Sequence, residues 1–166
     1  MIQRIQSILL LGVSICMGMV LAYYIWGEAN PEKTKGILFS AIDMQIIDFG
    51  QGVADKTDDV VIETQSMWYL AGLAILAALV SLFSIFQFKN RLNQMKLGAL
   101  NSLLMVSYLG ICFFKVNQFE ELVNPQVQGN FQLGFFLPAV ALVLNAVANR
   151  FIRKDEKLVK SVDRIR

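Results

Sequence analysis

Residues 67–88 read MWYLAGLAILAALVSLFSIFQF, with no charge anywhere in the stretch. A helix rises about 1.5 Å per residue, so about 20 mostly apolar residues cross the roughly 30 Å of hydrocarbon in a bilayer. The alternative is a long buried helix of a soluble bundle, but such a helix keeps a polar face at helical spacing. This one is apolar or small all round and predicts a membrane span. Three more segments have the same character: about 8–26 (ILLLGVSICMGMVLAYYIW), 97–116 (LGALNSLLMVSYLGICFFKV) and 133–152 (LGFFLPAVALVLNAVANRFI). The fold class they predict is an all-α membrane protein, a four-transmembrane-helix bundle, with residues 1–166 forming a single integral membrane domain. Composition agrees: 17% of residues are charged, against about 25% in an average soluble domain.

Details of the spans refine this. Lys115 lies near one end of the third, where its stem can run along the helix and deliver the ammonium to the interface. Pro138 sits inside the fourth, where neighbouring helices can satisfy the freed carbonyl; a kink is expected there. The first span could be a cleaved signal peptide, with Arg4 before it and Gly27-Glu28-Ala29 after it. Its apolar run is longer than the usual h-region of about 7–15 residues. Tyr23, Tyr24 and Trp26 at its far end read as an interfacial aromatic belt, so a retained helix is the expectation.

Charge sets the orientation. Arg4, Lys89, Arg91, Lys96, Arg150, Arg153, Lys154, Lys157, Lys160, Arg164 and Arg166 precede span one, join spans two and three, or follow span four. Only Lys33, Lys35, Lys56 and Lys115 fall on the other side, eleven against four. The positive-inside rule then predicts cytoplasmic N- and C-termini. The tail from 150 to 166 is densely charged, and Phe151, Leu158, Val162 and Ile165 fall on one helical face. Span four is therefore expected to continue as an amphipathic extension. It can lie on anionic lipid head groups, pack on the 89–96 connector, meet a partner, or stay solvated. Acids interleave the cations and no aromatic platform is present, so no nucleic acid partner is expected.

The outer loop, residues 27–66, is too apolar in its middle for a plain linker. Ile37 to Phe39, Met44 to Phe49 and Val60 to Ile62 read as short strands, with a turn at Gly50-Gln51-Gly52. A small extracytoplasmic antiparallel β element is expected from this first outer loop. Asp43, Asp48, Asp55, Asp58, Asp59 and Glu63 give it a negative face, but they match no calcium-loop frame. The second outer loop, about 117–132, has turn signals at Asn124-Pro125 and Gly129-Asn130.

Chemistry within the bilayer has little to stand on. No span carries an Asp, Glu or Arg at its centre, which disfavours proton-coupled pumping and voltage sensing. The chain has no histidine, and Cys16 and Cys112 form no metal or redox motif, so no catalytic residue, metal or cofactor is assigned. The polar residues at depth, Asn101, Asn145 and Asn149, are candidates for intramembrane packing; Asn145 and Asn149 lie one turn apart. Ser14 with Gly18, and Ala74 with Ala78, are small residues spaced for close helix approach.

MIQRIQSILLL at 1–11 and LPAVALVLNAVANRFIRKDEKLVKSVDRIR at 137–166 resemble the domain of unknown function 4293 family, small four-span membrane proteins of the Bacteroidota. The matching motifs are Met1 to Gln6, Ile152 to Glu156 and Ser161 to Arg166. The resemblance implies the four-span architecture and a bacterial inner membrane location, and leaves activity open. It also suggests that both specific segments share one inner surface, with Arg4 facing Asp155 and Glu156. Arg4, Arg150, Arg153, Lys154, Asp155, Glu156, Lys157 and Arg164 are accordingly the candidate cytoplasmic interaction surface. The expected function is that of a non-enzymatic structural or interaction component, with a membrane-protein partner or a second copy of itself. The alternative is a transporter or channel accessory, or a binder of a small lipid-like ligand between the helices.

Overall fold

The computed structural model describes residues 2–30, 35–50, 60–88, 90–123 and 129–163. Four helices carry the fold: α1 (Ile2–Met19), α2 (Trp68–Phe86), α3 (Arg91–Val123) and α4 (Leu133–Asp163). Each is long and apolar enough to cross a membrane, which fits a multi-pass membrane protein. Consecutive helices pack side by side, and α4 closes the ring against α1. In each apolar window only 28% of the residues are buried inside the molecule. The remainder, including Ile8, Ile15, Leu79, Phe83, Leu103, Phe114 and Val143, is exposed hydrocarbon surface of the kind lipid covers.

A small antiparallel sheet sits across one end of the bundle. Its strands are β1 (Trp26–Ala29), β2 (Lys35–Phe39), β3 (Asp43–Asp48), β4 (Val60–Ser66) and β5 (Asn130–Phe131), in the order β4-β3-β2-β1-β5. The three strands expected in the first outer loop are β2, β3 and β4, with β4 running on past the expected Ile62 to Ser66. A bulge between Ile46 and Ile47 shifts the β3–β4 register. Gly50 follows β3 at φ 54°, a left-handed turn conformation that glycine adopts without penalty. Gln51 and Gly52, the rest of that expected turn, lie outside the described residues, as do Asn124 and Pro125.

The sheet and the bundle share one core. Trp26, Ile37, Phe39 and Met44 on the sheet are buried with Val13, Met17, Leu70, Met105, Tyr108, Cys112 and Phe119 on the helices. The chain is also stitched at this end by backbone bonds. Met67 donates to Ile42 at the start of α2, and Gly134 donates to Tyr24 at the start of α4.

Three boundaries differ from the expectation, each for a physical reason. The first span ends early: α1 gives way to a 3₁₀ turn, Val20–Ala22, and Tyr23 is extended. Trp26 is therefore not a belt residue. It opens β1 between Phe39 and Phe131 and is fully buried, whereas Tyr23 and Tyr24 stay exposed. Second, much of the expected loop 117–132 is helix, since α3 continues to Val123. Phe119 explains this: it stacks edge-on beneath Phe39, with ring centroids 5.4 Å apart, so extending α3 buries an aromatic pair. Third, the sheet draws on both connections, because β5 comes from the second and pairs with β1. Pairing there is short, two residues, and carries little hydrophobic signal of its own.

Candidate functional site

The described cations concentrate at the end of the bundle away from the sheet. Arg91, Lys96, Arg150, Arg153, Lys154, Lys157 and Lys160 lie there, against Lys35 and Lys115 at the sheet end. Asn90 accepts a side-chain bond from the Asn93 N–H and so caps the start of α3. The cap places Arg91 beside the α4 extension. Arg91 makes an ion pair with Asp155 at 3.2 Å and also donates to the Asp155 carbonyl. Lys160 pairs with Glu156 one turn away, also at 3.2 Å. The extension therefore packs through its half-buried Asp155 on the first turn of α3, which begins at Arg91 and takes up most of the expected 89–96 connector.

The inward face of the extension also differs from the expected stripe. Ala148 and Ile152 are fully buried, while Leu158 is exposed. The face that matters continues the packing line of α4 from Asn145, at spacings of three and four, and is one residue out of phase with Phe151 and Leu158. Val162 and Ile165 fall among side chains that are not described. Of the expected surface, Arg150, Arg153, Lys154 and Lys157 are exposed on α4. The partners of Asp155 and Glu156 are Arg91 and Lys160. Arg164 and the Arg4 side chain, and with the latter the suggested Arg4 contact, lie outside the described residues.

The α3–α4 seam explains two of the three asparagines. Asn145 is fully buried and donates to the Gly98 carbonyl and to Ser102 Oγ, both at 2.8 Å. Ser102 in turn donates to the Gly98 carbonyl at 3.1 Å. Asn149, one turn on, lies over Gly98, where a Cβ would collide with its amide. Absence of a side chain at Gly98 is what lets the helices close. Asn101 is buried elsewhere in the bundle, with both amide atoms unpartnered among the described residues. Gly98 and Ser102 form a pair that no charge or apolar run marks in the sequence. Their small-x-x-x-small spacing was the available signal.

Beside this seam, a groove of about 560 Å³ opens at the surface, lined by Ala99, Ser102, Ala146, Asn149, Arg150 and Arg153. Its apolar wall is built of small side chains, and its mouth is cationic. Asp155 and Glu156 already pair with Arg91 and Lys160, and neither Arg150 nor Arg153 has an ion-pair partner among the described residues.

The α1–α2 seam is held by reciprocal serines. Ser14 donates to the Ala78 carbonyl at 3.1 Å, and Ser81 donates to the Leu10 carbonyl at 2.7 Å. Of the small residues expected there, Ala74 is buried, while Gly18 faces open space and packs against nothing. Cys112 is buried in the core, and both cysteines are free.

At the sheet end the acids behave as individuals. Asp43 is engaged in the β2–β3 turn, accepting from Ser40 Oγ at 2.6 Å and Gln45 Nε2 at 2.8 Å. Asp48 accepts from the Gly50 N–H. Glu63 lies on exposed β4, and Asp55, Asp58 and Asp59 are outside the described residues. Glu28 is different. It is buried on β1, and neither carboxylate oxygen has a hydrogen-bond partner among the described residues. Burial, and then the nearby Glu120 of α3, push its carboxyl above the ordinary value.

Among the described residues, the arrangement offers no nucleophile–base pair and no cluster of metal-ligating side chains. Its chemistry is that of packing, of charge at one end, and of a groove beside two arginines. No curated protein shows significant similarity to the chain. A family model matches residues 2–165, the whole length but for its two terminal residues, and the chain therefore belongs to that family, DUF4293, described as a domain of unknown function.

Proposed function

We propose that this is a non-enzymatic multi-pass protein of the bacterial inner membrane, a structural or interaction component whose cationic end faces the cytoplasm. The sheet then forms an extracytoplasmic cap. Segregation of charge carries this reading: among residues whose side chains are described, seven Lys and Arg lie at the end away from the sheet and two at the sheet end. Excess cationic residues mark the cytoplasmic side of short-looped membrane proteins. Tyr23, Tyr24 and Trp68, all exposed near the opposite boundary, suit the other interface. Polar side chains at depth, such as Ser14, Ser81 and Asn145, bond to neighbouring helices, as expected of groups that hold a scaffold together.

Sidedness is tested by single-cysteine labelling in spheroplasts, after replacing Cys16 and Cys112 with alanine. A membrane-impermeant maleimide should react with Thr64→Cys on β4 and reach Lys157→Cys only after permeabilisation. The reverse pattern overturns the orientation. The interaction role predicts a stoichiometric protein partner or second copy after extraction of the full chain in mild detergent. Recovery of the monomer alone counts against it.

A further inference from the structure

We propose that the groove between α3 and α4 is a binding site for one anionic phospholipid, with Arg150 and Arg153 holding its phosphate. The inference deepens the reading above and rests on it for the leaflet concerned, the cytoplasmic one. Three observations converge on this occupant.

Depth is the first. Arg150 lies seventeen residues beyond Leu133, about 25 Å along α4, and Arg153 about 30 Å. They reach the interface as Leu133 reaches the other. Ala146 lies about 10 Å nearer the hydrocarbon centre than Arg153. The groove thus begins at head-group level and descends along the acyl region.

Shape is the second. Ala99 and Ala146 leave a recess of about 560 Å³ on a surface otherwise studded with large side chains such as Leu100, Leu103 and Val143. In a bilayer the stretch of this recess walled by Ala99 and Ala146 takes an acyl chain, because an unfilled apolar hollow forfeits packing contacts.

Charge is the third. The carboxylates nearest in sequence, Asp155 and Glu156, are held by Arg91 and Lys160. Arg150 and Arg153 have no ion-pair partner among the described residues, and the guanidinium fork matches phosphate oxygens. Ser102 is committed to Gly98 and Asn145, so it shapes the wall without competing for the phosphate.

The test uses the full chain purified in a zwitterionic detergent. Retention of phosphatidylglycerol is read by native mass spectrometry, with phosphatidylcholine and inorganic phosphate as comparison probes. The wild type should retain one phosphatidylglycerol in preference to phosphatidylcholine. If each basic residue near the head groups contributes about 1 kcal/mol, R150Q should weaken retention about fivefold and R150Q/R153Q about 25-fold. Ala146→Leu, which fills the recess and keeps every charge, should abolish the preference. Ala99→Leu makes the same test from α3 if the first variant fails to fold by circular dichroism. The control K154Q/K157Q removes equal charge from the same tail and should retain the lipid.

Equal loss in that control would show diffuse attraction and overturn the site. Unchanged retention in both leucine variants would also overturn it. Binding of inorganic phosphate that displaces the lipid would assign the arginines to a soluble anion and overturn the lipid reading. Retention in detergent does not depend on orientation. A reversed labelling pattern would therefore refute the sidedness while leaving the groove intact, and failure of the wild type to retain phosphatidylglycerol in preference to phosphatidylcholine would refute the groove alone.

Discussion

At the scale of single residues, the informative positions are polar groups buried where water is scarce. Asn145 makes two hydrogen bonds across the α3–α4 seam. Interhelical bonds of this kind average about 0.6 kcal/mol in membranes, so Asn145→Ala should destabilise the bundle by about 1 kcal/mol in a denaturant titration of mixed micelles. Unchanged stability would remove the packing role. Glu28 carries the opposite sign. Its folded carboxyl titrates above the ordinary value of 4.5, chiefly through burial and then through Glu120. Below that ordinary value both folded and unfolded chains are protonated and no penalty exists. As pH rises, the unfolded chain ionises first and stability falls until the folded carboxyl ionises too. Glu28→Gln should therefore be more stable than the wild type at neutral pH, with the difference vanishing in acid below about 4.5. Thermal unfolding across that pH range reads it directly. Asn145 could be picked out in the sequence as polar within a span. Glu28 could not, because β1 looked like the start of a loop and nothing local marks a carboxylate that the fold will bury.

At the scale of elements, legibility followed length and periodicity. Four long apolar runs gave four helices, and the short apolar runs of the outer loop gave β2 and β3 to within two residues, while β4 runs on from the expected Val60–Ile62 through Ser66. The failures cluster where tertiary contacts override a local pattern. Trp26 ends an apolar run and reads as belt, yet strand pairing with Phe39 and Phe131 takes it into the core. The last turns of α3 carry Gln, Glu and Asn like a loop, yet Phe119 finds Phe39 and the helix persists. The α4 extension was correctly read as helical, but its buried face follows Ala148 and Ile152. Close approach of α3 and α4 depends on Gly98. Gly98→Ala should cost about 1–3 kcal/mol by forcing Asn149 aside. Combining it with Asn149→Ala should restore much of that loss, because the two changes share one contact. An additive double variant in the same titration would show that the seam does not depend on this contact.

For the whole molecule, the decisive quantity is exposed hydrocarbon surface. With 28% of each apolar window buried internally, the bundle cannot cover its own side chains. The purified chain should aggregate in plain buffer and become monodisperse only with detergent or lipid, as read by size-exclusion chromatography with light scattering. A stable monomer in buffer alone would contradict the membrane assignment. This much was evident from the chain's hydrophobic runs. The groove was not, because it needs Ala99, Ala146, Arg150 and Arg153 brought together from two helices, and residues far apart in sequence carry no local sign of that.

The thirty-three residues of α3 form one helix, about 50 Å long against roughly 30 Å of hydrocarbon. Near one end Phe119 lies under the sheet; at the other Arg91 grips the α4 extension. One continuous helix thus joins the packing beneath the sheet to the ion pair that holds the α4 extension, so the two ends of the molecule share a single element.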